Sequence, residues 1–499
     1  MTPEHGLRTR LLGIDTHAET VVFLRKDCSL CRSEGFTSHN RILLSAGDRH
    51  AIATLYQVES EFLGCDEAGL SDATGRALGV KEGDVITARH APPVESLGLV
   101  RSRIYGHALD EQAFGRIIPD IVAGRYSAIE VTSFITACAA KPLTGDEVRF
   151  LTRAMVDAGN RLRWDQPVIA DKHSVGGLPG NRTTPIVVAI CAALGLVMPK
   201  TSSRAITSPA GTADTMETLA PVALDELALR AVIKQEGGCI AWGGAMRLSP
   251  ADDILIRIEH ALDIDSEGQM IASILSQKIA AGATHLVIDM PVGPTAKVRS
   301  IEAAASLTAG LAVVADAFGI HIKVMQGDGS QPIGRGIGPA LEARDVLAVL
   351  KGQPDAPQDL RARALALASG LLELCGKADP GQGTTLASVT LDDGRAWSKF
   401  QHICAAQGGM RIPPQARHTK ILAAGHGGVL EALDNRRIAR LAKLAGAPYA
   451  KAAGVELHVR LGDRVSTGTP LCTLHAEAEG ELAYALSYAE ANPDMFGIT

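Results

Sequence analysis

The sequence predicts a multidomain α/β protein with a β-barrel-like N-terminal domain, a split helical domain, a central α/β domain with a mixed sheet, and a C-terminal α+β domain. Three observations predict this fold class. The hydrophobic period changes from that of strands to that of helices near residue 98. Two strand–loop–helix units follow one another within residues 167–217, and the last hundred residues return to short strands around one helix.

Domain boundaries follow from the same changes of pattern. Segments such as 20–25 and 51–56 alternate polar and apolar side chains, and Pro92 with Pro93 marks a linker after them. Thr144 and Glu147 form a capping-box pattern at the start of a helix. The predicted domains are a β-rich extension at 1–95, a helical domain at 98–165 and 249–282, an α/β domain at 166–248 and 283–395, and an α+β domain at 400–499.

The two strand–loop–helix units carry the candidate site. Strands at 167–171 and 196–201 are predicted to end in loops rich in glycine and hydroxyl groups, 172–182 and 202–212. Open α/β sheets bind ligands at the carboxyl ends of their strands, and the following helix N-termini favour anions. The available donors are Lys172, Arg204, Ser174, Thr183, Thr184, Ser202, Ser203, Thr207, Ser208 and Thr212.

This set of donors predicts a site for one phosphate or for two. For any single residue, an ordinary βα turn with Gly and Ser/Thr as turn and capping residues is the simpler interpretation. Two cations and eight hydroxyl groups in two loops exceed what capping requires. Neither loop carries a common nucleotide-binding fingerprint.

Composition excludes several classes of function. Aromatic residues make up 4% of the 499 residues, which argues against stacking of single-stranded nucleic acid. The net charge of −6 argues against a general attraction to nucleic acid or anionic membranes. The longest apolar run, 185–198, is too short to span a bilayer, and the first residues lack the apolar core of a signal peptide. A cytoplasmic protein without a membrane or nucleic-acid partner is therefore expected.

Nine cysteines are mostly scattered in apolar surroundings and are expected to be buried thiols. Cys28 and Cys31 form a CxxC pattern, which occurs in zinc sites, in redox pairs and in plain turns. No second pair stands at a metal-binding spacing, so a turn is favoured and no metal is predicted.

Several motifs resemble the thymidine phosphorylase and AMP phosphorylase family of nucleoside phosphorylases. They occur in the family's order and span most of residues 98–499. The matching stretches are DKHSVGGLPGNRTT, KTSSRAITSPAGTADTME, WGGAMRLSPADD, SILSQK and DGSQPIGRGIGPALE. The N-terminal extension resembles that of the AMP phosphorylase branch. The resemblance implies a homodimer or a higher homo-oligomer, and no cofactor.

The resemblance also implies a reaction, in which inorganic phosphate attacks the anomeric carbon and the base leaves. Lys172, Ser174, Thr184, Ser202 and Thr212 match positions that bind the attacking phosphate. His173 matches a histidine proposed to assist the chemistry, and a purely structural turn residue is the alternative. The positions that match nucleotide-binding residues are Gly177, Ser203, Arg204, Ala205, Ile206, Thr207, Ser208, Ser273 and Lys297.

The choice of substrate depends on the branch. Pyrimidine enzymes of this family hold the base with an arginine and a lysine, and the corresponding residues here are Ile258 and Gln277. Asp265 matches the proton donor of the AMP branch, with a helix N-cap as its alternative role. Arg204 is expected to bind a substrate 5′-phosphate, because guanidinium groups pair bidentately with phosphate; a surface ion pair is the alternative for Arg204 and for Lys297.

Three hypotheses result. The first is phosphorolysis of a nucleoside 5′-monophosphate, with AMP ahead of CMP and UMP, to free base and ribose 1,5-bisphosphate. The second is phosphorolysis of thymidine or another pyrimidine nucleoside, to thymine and 2-deoxyribose 1-phosphate in the case of thymidine. The third is a nucleotide sensor without catalysis, against which the set of Lys172, Ser174 and Asp265 argues.

Overall fold

The computed structural model describes residues 6–17, 19–205, 208–262, 264 and 266–499. It divides into two compact units, Met1–Lys141 and Pro142–Thr499. Within the described residues, no helix is both long enough and apolar enough to cross a membrane.

The first unit contains a six-stranded closed barrel with the strand order β1-β5-β2-β4-β3-β6, which confirms the predicted barrel-like domain. Alternate strand residues such as Val22, Leu24, Ile42 and Leu44 point into a common apolar core. The elements of this unit are β1 Leu7–Leu11, β2 Val21–Arg25, α1 Ser29–Glu34, β3 Arg41–Ala46, β4 Arg49–Val58, β5 Glu67–Leu70, α2 Asp72–Leu78, β6 Val85–His90, α3 Leu97–Ile104, α4 Glu111–Val122 and α5 Ala128–Ala140.

The CxxC pattern begins helix α1. Cys28 is the extended N-cap residue, and its Sγ accepts a hydrogen bond from the backbone N–H of Cys31 at 3.2 Å. Both cysteines are buried. The described residues contain no group of three or more His, Cys, Asp or Glu side chains placed to hold a metal ion. The local role of this pattern in the structure is to begin helix α1.

The second unit is built on parallel strands. Strand β10 pairs in parallel with β7 and with β11, β8 pairs in parallel with β9, and a bridge from Ile169 to Val197 joins the two groups. The elements of its core are α6 Gly145–Asp157, β7 Ala170–Ser174, α7 Thr184–Ala193, β8 Met198–Ser202, α8 Thr212–Glu217, α9 Glu226–Glu236, β9 Gly238–Trp242, α10 Pro250–Leu262, α11 Glu267–Ala280, β10 His285–Val292, α12 Ile301–Ala317, β11 His321–Asp328, β12 Gly336–Ile337, α13 Pro339–Leu350, α14 Gln358–Leu374, α15 Gly383–Asp392 and α16 Arg395–Ala406.

The prediction of a mixed sheet in the α/β domain was wrong for these strands. At least one helix connects each pair of consecutive strands from β7 to β11. A helical crossover returns the chain to the same end of the sheet, so the next strand runs in the same direction. Every described pair among these strands is accordingly parallel.

The strand preceding the first loop lies later in the chain than predicted. It spans Ala170–Ser174 instead of 167–171, so Lys172, His173 and Ser174 lie on the strand and not in the loop. Pairing with β10 explains the difference, since these three residues are in register with Val287, Ile288 and Asp289. Tertiary pairing has extended a strand whose own sequence is polar.

Helix α7 is the centre of the apolar core. Its residues from Thr184 to Ala192 are all buried, and it packs against α14 and α16. Helix α6 begins with the predicted capping box of Thr144 and Glu147, and it packs along α11. The two parts of the split helical domain, 98–165 and 249–282, are predicted to pack together. The contact between α6 and α11 is an example of this packing within the second unit.

The C-terminal part contains two small antiparallel sheets and two helices, as the α+β prediction requires. Strand β12, from the preceding glycine-rich loop, pairs with β15 of this part. Gly338 has a φ of 133°, and a Cβ there would overlap the carbonyl oxygen of Ala453. The elements are β13 His418–Ala423, β14 Gly428–Leu433, α17 Asn435–Leu444, β15 Gly454–Leu457, β16 Arg464–Val465, β17 Pro470–Ala476, α18 Glu479–Ala491 and β18 Phe496–Ile498.

We predict that Ile190→Ala lowers the free energy of unfolding of the second unit by about 2–5 kcal/mol, because it opens a cavity in α7. Ile190 is fully buried, whereas Ile301, at the start of α12, is 72% exposed. Ile301→Ala is the matched control and is expected to change stability by about 0.5 kcal/mol or less. Urea titration followed by circular dichroism measures both, and equal losses would contradict the assignment of α7 to the core.

Candidate active site

The two predicted loops meet through Arg182. This arginine ends the loop after β7 and donates from Nη1 to the Thr212 hydroxyl and from Nη2 to the Ala210 carbonyl, each at 2.7 Å. Its Nε donates to Glu342 of α13 at 2.6 Å. Arg182 and Glu342 are both buried. The guanidinium therefore fixes the two loops, and the start of α8, against one another.

Lys172 is the central residue of the five-residue strand β7 and is 1% exposed. Its Nζ donates to the Thr183 hydroxyl at 2.9 Å, is 3.5 Å from the Thr184 hydroxyl, and lies 3.6 Å from Asp289 Oδ2. Burial lowers the pKa of Lys172 to about 8, although Asp289 opposes this shift. The ammonium group is consequently charged at neutral pH and close to losing its proton.

Asp289, on β10, holds this part of the site together. Asn181 donates to Oδ2 at 2.8 Å, and Arg363 of α14 donates to Oδ1 at 3.0 and 2.6 Å. Burial tends to raise the pKa of Asp289, but Lys172 and Arg363 outweigh it and the pKa lies below its ordinary value. Ser174 accepts a long hydrogen bond from the same asparagine, at 3.4 Å. One carboxylate thus orients groups from a strand, a loop and a helix.

A second buried cluster lies beside the first. Asp171 of β7 binds Lys200 of β8 at 3.3 Å and Lys278 of α11 at 3.1 Å. All three side chains are buried. Burial lowers the pKa of Lys200 well below its ordinary value. Asp171 therefore has one lysine partner, Lys278, at 3.1 Å and a second, Lys200, whose charged form is disfavoured by burial.

His173 is a neutral imidazole in this environment. Burial lowers its pKa well below the ordinary value, and the positive charges of nearby lysines, of which Lys278 is the strongest, lower it further. The next contributions come from Lys200, Lys172 and Lys297. An imidazole with this pKa carries no extra proton at neutral pH, so His173 can hold a hydrogen bond but is not a source of protons.

Gly177 brings the first loop against the segment that carries Lys297. It has a φ of 80°, and a Cβ there would overlap the backbone N of Lys297 and lie 2.8 Å from its Cβ. The charge of Lys297 influences the pKa of both His173 and Asp252. Lys297 therefore lies near both the end of β7 and helix α10.

Arg204 forms an ion pair within the protein. Its Nη1 and Nη2 each donate to a different Glu217 oxygen at 2.7 Å, Nη1 also reaches Asp214 at 3.2 Å, and the guanidinium lies 4.9 Å from the ring centre of Trp242. The Arg204 hydrogen bond is the main reason that the pKa of Glu217 falls to about 2. These contacts support the alternative interpretation of Arg204, which is an ion pair.

The rest of the second loop is held by Asp214. Its Oδ2 accepts from the backbone N–H of Ala205 at 2.6 Å and of Gly211 at 3.0 Å. Ser208 donates to the Ala210 carbonyl at 2.9 Å, and Ser202 donates to the Ser203 carbonyl at 3.3 Å. The predicted site residues Ile206 and Thr207 of this loop, and Asp265 after α10, lie outside the described residues.

A narrow cleft lies between the end of β8 and helices α10 and α11; its enclosed space is about 30 Å³, and about 340 Å³ is reached only when the open space at its mouth is counted. Asp252 of α10 is 3% exposed and accepts from Gln277 Nε2 at 2.5 Å and from Ser273. Burial raises the pKa of Asp252 to about 6. The lining residues are Thr201, Ser202, Ser203, Gly243, Gly244, Leu248, Ser249, Asp252, Asp253 and Gln277.

Sequence reasoning assigned no role to Asp289, Arg182 or Asp252. A usable signal existed for Asp289, since a lone aspartate interrupts the apolar strand LVIDMPV, and a buried charge needs a partner. Arg182 and Asp252 carry no comparable local signal. Their partners Glu342 and Gln277 are 160 and 25 residues away in sequence.

The chain is similar to known proteins along nearly its whole length. Three family models match: the pyrimidine nucleoside phosphorylase C-terminal domain at 429–494, the a/b domain of a glycosyl transferase family at 166–397, and the helical bundle domain of a glycosyl transferase family at 98–159. A protein of Sphingopyxis alaskensis named "Putative thymidine phosphorylase" is 60% identical over 98% of this chain and 95% of its own length. A protein of the same name from Polaromonas sp. is 58% identical over 99% of this chain and 96% of its own length.

The chain belongs to the pyrimidine nucleoside phosphorylase family. It is a nucleoside phosphorylase, and the family resemblance predicted from the motifs is confirmed. The solved structure of anthranilate phosphoribosyltransferase from Thermus thermophilus has a TM-score of 0.52 at 21% identity. The match covers 62% of this chain and 98% of that one, and it indicates a shared fold alone.

We predict that Gly177→Ala destabilises this phosphorylase more than Gly176→Ala. Both glycines have a positive φ, of 80° and 93°, so alanine is strained at either position. At Gly177 the added Cβ also meets Lys297, whereas nothing lies within 4 Å at Gly176. The additional cost is about 1–3 kcal/mol, as for other overpacked sites. Thermal denaturation of both variants measures the difference, and equal midpoints would contradict the close approach.

Proposed function

We propose that this chain catalyses the phosphorolysis of a pyrimidine nucleoside, with thymidine as the leading candidate. Inorganic phosphate forms a bond to the anomeric carbon, the bond from that carbon to the base nitrogen breaks, and its electron pair leaves with the base. The products from thymidine are thymine and 2-deoxyribose 1-phosphate. The observation that carries the proposal is the buried, charged Lys172 on β7, in a site where Arg182 joins the two loops.

The attacking phosphate is assigned to the first loop. Lys172 supplies the charge, Thr184 and Ser174 lie on either side of the loop, and Ser202 and Thr212 stand at the neighbouring strand end and helix start. The transition state resembles an oxocarbenium ion, so a negative phosphate beside the sugar stabilises it.

The nucleoside is favoured over the nucleoside 5′-monophosphate. The relatives are named for thymidine phosphorylase, and Arg204, the expected partner of a 5′-phosphate, is already paired bidentately with Glu217. Asp265, the proton donor expected for an AMP substrate, lies outside the described residues. We assign Ser203, Ala205 and Ser208 to shaping the nucleoside side of the cleft, together with Gly177, Ser273 and Lys297. A homo-oligomer and a cytoplasmic location remain predictions.

The experiment that tests the function is a substrate panel with the purified protein. Thymidine, 2′-deoxyuridine and uridine, each with and without inorganic phosphate, are compared with thymidine 5′-monophosphate and AMP, and release of base is followed by chromatography. We expect phosphate-dependent release from a pyrimidine nucleoside at a kcat/KM at least tenfold above that of any nucleotide. Faster turnover of AMP would overturn the nucleoside assignment, and release without phosphate would overturn phosphorolysis.

We predict that Lys172→Met lowers kcat/KM for the nucleoside by about 10²-fold or more, because it removes the cation that holds the attacking phosphate. Lys377→Met, at an exposed lysine of the same unit, is the control and is expected to leave the rate unchanged. The wild-type rate is expected to fall as pH rises through about 8, where Lys172 loses its proton. A rate that stays constant from pH 7 to 10 would contradict the role of a charged Lys172.

A further inference from the structure

The carboxyl group of Asp252 differs from the other buried carboxylates around the site. Asp171 and Asp289 each contact two cations, Lys200 and Lys278 in one case and Lys172 and Arg363 in the other. Asp252 is equally buried, but the hydrogen-bond donors that reach it are the neutral side chains of Gln277 and Ser273. A buried carboxyl without a direct cationic partner is expensive in its charged form.

The surroundings of Asp252 explain its protonation. Burial is the main cause that raises its pKa to about 6, and the charge of Asp253 adds to the shift. The hydrogen bonds from Ser273 and Gln277, and the more distant charge of Lys297, oppose it. Near pH 6 about half of the molecules therefore carry Asp252 as a carboxylic acid, and this fraction falls as the pH rises.

The position of Asp252 connects it with the reaction. It lines the cleft together with Ser202 and Ser203, the residues that end β8 and begin the second loop. Ser202 belongs to the proposed phosphate site, so the cleft extends from the place of the attacking phosphate to helices α10 and α11. The sugar and base of a nucleoside bound beside that phosphate would extend into this cleft.

We propose that Asp252 recognises the base, pairing side by side with an N–H group and the neighbouring ring carbonyl of a pyrimidine-2,4-dione and giving its proton to that base as it leaves. The carbonyl oxygen of the acid accepts from the ring N–H, and the acid O–H donates to the ring carbonyl. Gln277 and Ser273 orient the carboxyl group. This inference rests on the proposed function.

The proton transfer to the departing base completes the reaction. The bond from the anomeric carbon to the base nitrogen breaks, the electron pair passes into the base ring, and the proton of Asp252 moves to the ring oxygen. The base leaves as a neutral tautomer, and the Asp252 carboxylate takes a new proton from water before the next turnover. His173 does not supply this proton, because its imidazole is neutral. A donor in the cleft also removes the need for the cations that Ile258 and Gln277 replace.

The test compares two substitutions at this position. Asp252→Asn keeps one donor and one acceptor but has no proton to give, so we expect thymine binding within about threefold of wild type. General acid catalysis contributes about 10²–10⁴-fold, so kcat for thymidine is expected to fall by that factor. Asp252→Ala is expected to lose thymine binding as well. Both variants should bind inorganic phosphate like the wild type, which shows that the first loop is folded.

Calorimetry with free thymine and with inorganic phosphate measures binding, and base release from thymidine measures kcat. Asp316→Asn, at an exposed aspartate of α12, is the control. A wild-type kcat in Asp252→Asn, or unchanged thymine binding in Asp252→Ala, would overturn the proposal. If the wild type binds thymine through Asp252 but releases no base from any pyrimidine nucleoside, the proposed function fails while base recognition by Asp252 is supported.

Discussion

The buried contact between Lys172 and Asp289 is the constraint on which the site depends. Asp289 lies on the strand between β7 and β11, and it also holds Arg363 of α14 and Asn181 of the first loop. Leaving any one of these charges without its partner would cost several kcal/mol, because all lie in a poorly solvated interior. The geometry of Lys172 is thus fixed by the sheet, and a ligand meets a cation already in place.

The distribution of charge divides the site into two chemically different ends. Around β7, the two cations Lys172 and Arg363 contact the single carboxylate Asp289, which favours an anion there, and burial keeps His173 neutral. At the cleft between α10 and α11, the acidic side chain Asp252 has neutral hydrogen-bond partners and a raised pKa. A reaction that consumes an anion at one end and protonates a leaving group at the other needs this separation. Binding the anion requires nearby positive charge, whereas a carboxyl group keeps its proton only where positive charge is distant.

Sequence patterns over a few residues predicted the parts of the fold that depend on interactions between residues close in sequence. The capping box at Thr144 and the barrel strands follow from interactions between residues that are close in sequence, and both are present. The position of β7 depends on its pairing with β10, and the parallel order depends on crossovers, so neither can be deduced from a short window. The partner of Arg204 illustrates the same limit. From the sequence alone, the Arg204 guanidinium is a candidate to bind a phosphate. In the folded chain α8 lies against the loop, and Glu217 accepts hydrogen bonds from this guanidinium.

Strand β12 has a consequence for how this protein can be divided. Two residues of the glycine-rich loop, Gly336 and Ile337, form the outer strand of a sheet that otherwise belongs to the C-terminal part. A fragment that starts after α16 would lack this strand, and the backbone of β15 would present unpaired hydrogen-bonding groups to solvent. Exposed edges of this kind associate with one another. The C-terminal fragment is therefore a poor choice for separate expression, and a useful boundary must retain the chain from β12 onward.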